Sequence, residues 1–180
     1  MIVTLSRRQM IDRWMLMKGF GPMRADASVV RSDGLDLEAL FEAEARAWYL
    51  GMLDTAPPHL VAAEDISDRV TLTVEADSTA FIELPDDCRR VVSLRLEGWR
   101  NDALIVAPDS VEARRQDNEL TRGGVWRPVA VLDVGRRLST RSLPPGPKRI
   151  ASLVAVTDGG SDVYRFDESL FPESYTNLNL

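Results

Sequence analysis

The apolar residues change their period from helical to alternating near residue 60, and that change constrains the fold more than any other feature of the chain. Before it, the spacing predicts two helices. Ser6 is placed to cap the first, which runs to about Lys18 with Met10, Ile11, Trp14, Met15 and Met17 at helical intervals. Gly19-Phe20-Gly21-Pro22 ends it, and a linker of charged and small residues follows from Met23 to Gly34. Asp36 caps the second helix, whose apolar side carries Leu37, Leu40, Phe41, Ala45, Trp48 and Met52. Asp54-Thr55-Ala56-Pro57-Pro58 stops it, because proline lacks the backbone donor a helix needs.

After residue 60 the chain reads as strands. Val70, Leu72 and Val74 alternate with Thr71, Thr73 and Glu75; Phe81 to Leu84 follows, then Val92, Leu94 and Leu96. Further strands are expected at Ala103–Val106, Pro128–Asp133, Arg136–Arg141 and, most apolar of all, Ile150–Thr157. Pro108-Asp109-Ser110 with Glu112 starts a short helix to about Asp117. The tail holds one short helix around Asp167 to Leu170. Most strands have no helix between them, so the pairing is expected to be antiparallel. The expected class is α+β, two N-terminal helices plus an antiparallel β-sheet or small β-barrel. Residues 1–58 form the helical segment and 59–180 the β domain with its short helices and tail.

Composition narrows the function. With 44% apolar and 28% charged residues, the 180-residue chain can bury a core. A net charge of −6 argues against a main task of gripping nucleic acid phosphates, though it fits an acidic wall past which DNA moves. Only Lys18 and Lys148 are lysines, and the other basic residues are arginines. Either a GC-rich genome or the use of arginine at protein interfaces accounts for that choice. The arginines at 7, 8 and 13 exclude a signal peptide in the first twenty residues. The run Ile150–Val156 is far shorter than the roughly 20 residues that span a bilayer. A cytosolic chain, or one assembled in the cytosol, is expected.

Residues that could carry chemistry are sparse. His59 is the only histidine and reads as a solvated residue behind Pro57-Pro58. Cys88 is the only cysteine, so the chain forms no internal disulfide, and it reads as a small residue at a sheet edge. One cysteine and one histidine do not make a zinc site. Asp158-Gly-Gly-Ser-Asp162 reads as a turn, lacking the ligand ladder of a calcium loop. Arg122-Gly123-Gly124 lacks the Gly-Lys-Ser/Thr of a phosphate loop. Asp65 and Asp68 read as solvated carboxylates. No cofactor, metal ligand or catalytic residue is assigned. An enzyme using carboxylates in a barrel mouth remains as a minor reading.

Tryptophan beside arginine is the more informative pattern. Trp99-Arg100 and Trp126-Arg127 lie at strand ends, and both residue types are enriched at interface hot spots. Trp99, Arg100, Arg122, Trp126 and Arg127 are the candidate contact residues; core packing is the plain alternative for the tryptophans.

The stretch Leu84-Pro85-Asp86-Asp87-Cys88-Arg89-Arg90-Val91-Val92-Ser93-Leu94 resembles a segment of tailed-bacteriophage head–tail connector proteins. In that adaptor group, which includes the tail tubular proteins of short-tailed phages, an aliphatic-Pro-x-Asp stretch leads into a strand. Its pattern also has a helix some forty residues earlier, as Leu37–Leu53 does here. Arg115-Gln116-Asp117-Asn118, Thr121-Arg122-Gly123 and Arg127-Pro128-Val129 are similar to connector-region proteins of phages that infect gut Bacteroidales. The resemblance spans residues 37–133. It implies a virion structural protein at the portal–tail junction, assembled in the host cytoplasm. Its partners would be further copies in a twelve-fold ring, the portal protein, and tail or other connector proteins. DNA would only pass through the channel, and no membrane is involved. Adaptors of this kind end in long ring-packing helices, whereas residues 158–180 hold one short helix at most, which leaves the position within the connector open. The alternative is a protein-interaction domain of a host or prophage protein outside the virion.

Overall fold

A computed structural model describes residues 1–20, 36–75, 78–160 and 162–172. The expected linker Met23–Gly34 lies outside the described residues. In chain order the elements are β1 (Ile2–Ser6), α1 (Arg7–Met17), α2 (Leu37–Thr55), β2 (Ala63–Asp65), β3 (Leu72–Val74), β4 (Ala80–Glu83) and β5 (Cys88–Leu96). They continue with β6 (Leu104–Val106), α3 (Val111–Arg115), β7 (Val129–Leu132), β8 (Arg137–Thr140), β9 (Ile150–Thr157) and β10 (Val163–Asp167). The class is α+β.

Two compact units divide the chain, Met1–Ala62 with Asp158–Leu180, and Ala63–Thr157. This differs from the expected division at residue 58, because the helices share their unit with a strand from the far end of the sequence. In that unit β1 pairs antiparallel with β10, setting Val3 opposite Phe166 and Leu5 opposite Tyr164. Neither strand is among those expected from sequence, and β1 stands ahead of the first helix.

Helix α1 begins where Ser6 predicts. The Ser6 hydroxyl accepts from the Gln9 backbone N–H, and the Gln9 side chain accepts from the Ser6 N–H at 2.9 Å, so two orphan donors are satisfied at once. Asp36 caps α2 through its carboxylate, which accepts from the N–H groups of Glu38 and Ala39. The buried stripe of α2 is Leu37, Phe41, Ala45, Tyr49, Met52 and Leu53. Leu40, expected on that side, is exposed. An aromatic cluster ties the unit together. Trp48 meets Phe166 edge-on with ring centres 5.3 Å apart, and Tyr49 meets Tyr164 at 4.9 Å.

The second unit holds a three-stranded sheet in the order β2-β9-β5 and a five-stranded sheet in the order β3-β4-β8-β7-β6. Both contribute to one core: Leu94 and Leu96 of β5, Leu153 and Ala155 of β9, Ile82 of β4, and Leu138 of β8. The pairing is antiparallel except between β6 and β7, which run parallel with Leu104 opposite Val129. The expectation of a wholly antiparallel sheet fails there, because α3 lies in the β6–β7 connection and supplies the crossover a parallel pair needs.

Candidate protein interface

The parallel pairing of β6 and β7 creates a cleft. Both strands start at the same end of the sheet, so the chain leaving β6 must travel back before β7 can begin. It does so through α3 and the segment 116–128. The cleft opens over the beginnings of the two strands, with a volume of about 510 Å³. Leu104 and Val129 form its floor, Glu112, Arg115 and Gln116 one wall, and Trp126 and Arg127 the other.

Local sequence holds these walls in place. Ser110 caps α3 by accepting from the Ala113 N–H at 3.1 Å. Gln116 is buried; its side-chain oxygen accepts from the Ser142 hydroxyl at 3.0 Å, and its carbonyl accepts from Arg122 Nε at 2.7 Å. The Thr121 hydroxyl donates to the Arg115 carbonyl at 2.7 Å. On the other wall Asn101 donates to the Trp126 carbonyl at 2.7 Å. Gly123 closes the turn under Trp126, where the Arg127 N–H donates to the Gly123 carbonyl at 3.1 Å. A Cβ at residue 123 would lie 2.1 Å from the Arg127 carbonyl oxygen, so only glycine fits.

The cleft presents an unusual surface. Trp126 is 65% exposed, and the Arg100 guanidinium lies over its ring, 5.6 Å from the centroid. Leu104, Val111 and Leu120 are exposed along the same stretch, Leu120 at 94%. Among the described residues, none of the guanidinium groups of Arg100, Arg115, Arg122 and Arg127 has a carboxylate partner. Of the two carboxylates lining the cleft, Asp102 pairs with Arg95, 3.6 Å away, and Glu112 has no cation partner among the described residues.

Four of the five residues expected at an interface therefore come together. Trp126 and Arg127 line the cleft, Arg100 covers the Trp126 ring, and Arg122, outside the lining, donates to the Gln116 carbonyl of the opposite wall. Trp99 does not join them. It is 5% exposed, and its indole N–H donates to the Ser142 carbonyl at 2.6 Å inside the core. The turn after β5 sends Trp99 inward and Arg100 outward. Arg115, Leu104 and Gln116 were not singled out as contact residues, because only the crossover brings them beside Trp126.

The residues weighed for chemistry lie elsewhere. His59 is exposed in a 3₁₀ turn. Cys88 begins β5, an edge strand, and burial pushes its thiol up from the ordinary value. Asp65 accepts hydrogen bonds from the Ser67 N–H, the Leu153 N–H and the Ser152 hydroxyl. Bonds from Ser67, side chain first and then backbone, do most to lower its carboxyl, to about 2. Asp158 pairs with Arg46 at 3.1 Å and accepts from the Gly160 N–H, while Ser161 of the same turn lies outside the described residues. Among the described residues no group of three or more His, Cys, Asp or Glu is placed to hold a metal, and no helix is long and apolar enough to cross a membrane.

No family model matches this chain, and neither a curated protein nor a solved structure is significantly similar to it.

Proposed function

We propose that the chain is a structural subunit of a tailed-bacteriophage head–tail connector, forming a twelve-fold ring between portal and tail through which DNA passes. One observation carries the reading furthest: Trp126, stacked under Arg100, stands exposed on a cleft whose arginines have no carboxylate partners among the described residues. Aromatic and arginine side chains at the centre of an apolar, partly cationic surface are the usual chemistry of a protein-binding hot spot. The likeness of residues 84–94 and 115–129 to connector proteins supplies the kind of assembly. The net charge of −6 suits a channel that must not trap DNA in passage.

Symmetry-resolved electron microscopy of the portal–tail junction tests the reading. The chain should appear as a closed ring in contact with the portal or with another connector protein. Virions that lack the chain, or copurification with a host protein complex, would leave the non-virion interaction domain in its place.

A further inference from the structure

We infer that the cleft beside Trp126 receives the acidic hairpin end of a second copy of this chain, so that the two complementary faces lie at opposite ends of β7. The inference deepens the ring reading and rests on it. The first face is the cleft: its lining arginines Arg115 and Arg127, and Arg100 over the Trp126 ring, have no carboxylate partner among the described residues, while of its two carboxylates Asp102 pairs with Arg95 and Glu112 has no cation partner among them. The second face is the turn between β7 and β8. Val134 at its tip is 95% exposed, with Asp133 exposed beside it. The neighbouring turn adds Asp86, fully exposed, and β4 ends there at the exposed Glu83.

The cations of the second face are already engaged. The Arg136 guanidinium donates to the carbonyls of Pro85, Asp86 and Cys88 and pairs with Asp86 at 3.2 Å. Arg137 pairs with Glu75 and lies over the Phe81 ring. That end therefore offers an apolar tip set among carboxylates, and the cleft offers an aromatic wall set among arginines. The match is of charge as well as of shape.

Position makes the pairing one between copies. β7 starts at the cleft with Val129 and ends at the hairpin with Leu132, so one copy cannot close its own turn into its own cleft. Donor and acceptor at opposite ends of one strand give a heterologous contact, which propagates head to tail and closes into a ring when the rotation permits.

Charge-reversal complementation in sedimentation velocity, on full-length protein over a wide concentration range, tests this. One variant carries Arg115→Glu with Arg127→Glu. The other carries Asp86→Lys with Val134→Lys, leaving Asp133 to cap its turn. The wild type should associate with rising concentration, and each variant alone should associate at least tenfold more weakly. An equimolar mixture should recover association, since each reversed cleft then meets a reversed hairpin. Circular dichroism of each variant establishes that it is folded. A wild type that stays monomeric up to millimolar concentration overturns the inference. So do single variants that associate like wild type, and a mixture no better than its components. Binding of an oligoglutamate peptide by a chain that does not self-associate also overturns it, assigning the cleft to a foreign acidic segment. A ring seen in virions but built through other faces would remove this inference and leave the connector reading. Complementation by a chain absent from virions would do the reverse.

Discussion

Arg100 covers the ring of Trp126 at 5.6 Å while its sequence neighbour Trp99 is sealed in the core against the Ser142 carbonyl. Two tryptophans with the same Trp-Arg signature thus take opposite environments, one buried and one exposed. Trp126→Ala should leave folding stability within about 0.5 kcal/mol, as exposed substitutions do. It should weaken association by about 2 kcal/mol or more, roughly 30-fold, as loss of a hot-spot residue does. Trp99→Ala should instead cost about 3–5 kcal/mol of stability through the cavity it leaves. Urea unfolding of both variants, alongside sedimentation of Trp126→Ala, measures the contrast.

Gly123 sets the wall that carries Trp126. Gly123→Ala places a methyl group against the Arg127 carbonyl, so the turn must open, at a cost of more than about 1 kcal/mol. Gly124, next along the chain, has a φ of +53° and nothing within 4 Å of a Cβ, a conformation asparagine tolerates. Gly124→Asn should therefore be mild. Thermal unfolding midpoints of the two variants and the wild type decide, and equal shifts would count against this account of the turn.

Asp65 links β2 to β9 and gives the fold a pH dependence of definite sign. Its carboxyl falls from an ordinary 3.8 to about 2 in the folded chain, chiefly through the hydrogen bonds from Ser67. A lowered value means the folded state favours the ionised form. The contribution is complete above about pH 4 and is lost as the pH falls toward 2. Asp65→Asn should destabilise the protein at pH 6 and lose less on acidification than the wild type does. Urea midpoints at pH 6 and pH 2.5 provide the comparison; parallel losses would show that Asp65 does not contribute.

Assembly should survive replacement of His59 by Gln and of Cys88 by Ser. Neither lines the cleft, and neither belongs to a cluster at ligand spacing among the described residues. Cys88 is buried, so its replacement should register only as a modest loss of stability. Under the proposed connector function, the measurement is infectivity of phage carrying each change. Its loss with folded protein would assign these residues a role that the cleft does not explain.

Local signals were sufficient for part of this protein. Ser6 and Asp36 announce their helices because a cap acts within one turn, on donors two or three residues away. The apolar stripes of α1 and α2, and the alternation of Val92, Leu94 and Leu96 in β5, depend only on residues that share a face. The Trp-Arg pairs at 99–100 and 126–127 can be picked out as candidate contact residues because their members are adjacent in the chain. Pairing was not legible. The strand β10 reads as tail until β1 lies beside it, and β6 reads as one more antiparallel strand until α3 carries the chain back over it. Nor could spacing separate Trp99 from Trp126, since the two share a neighbour type and differ only in which way a turn points them. Caps and periods are properties of a few adjacent residues; strand partners and burial are chosen by contacts between residues far apart in the chain. The cleft belongs wholly to the second kind, because its floor and its two walls come from segments that only the β6–β7 crossover brings together.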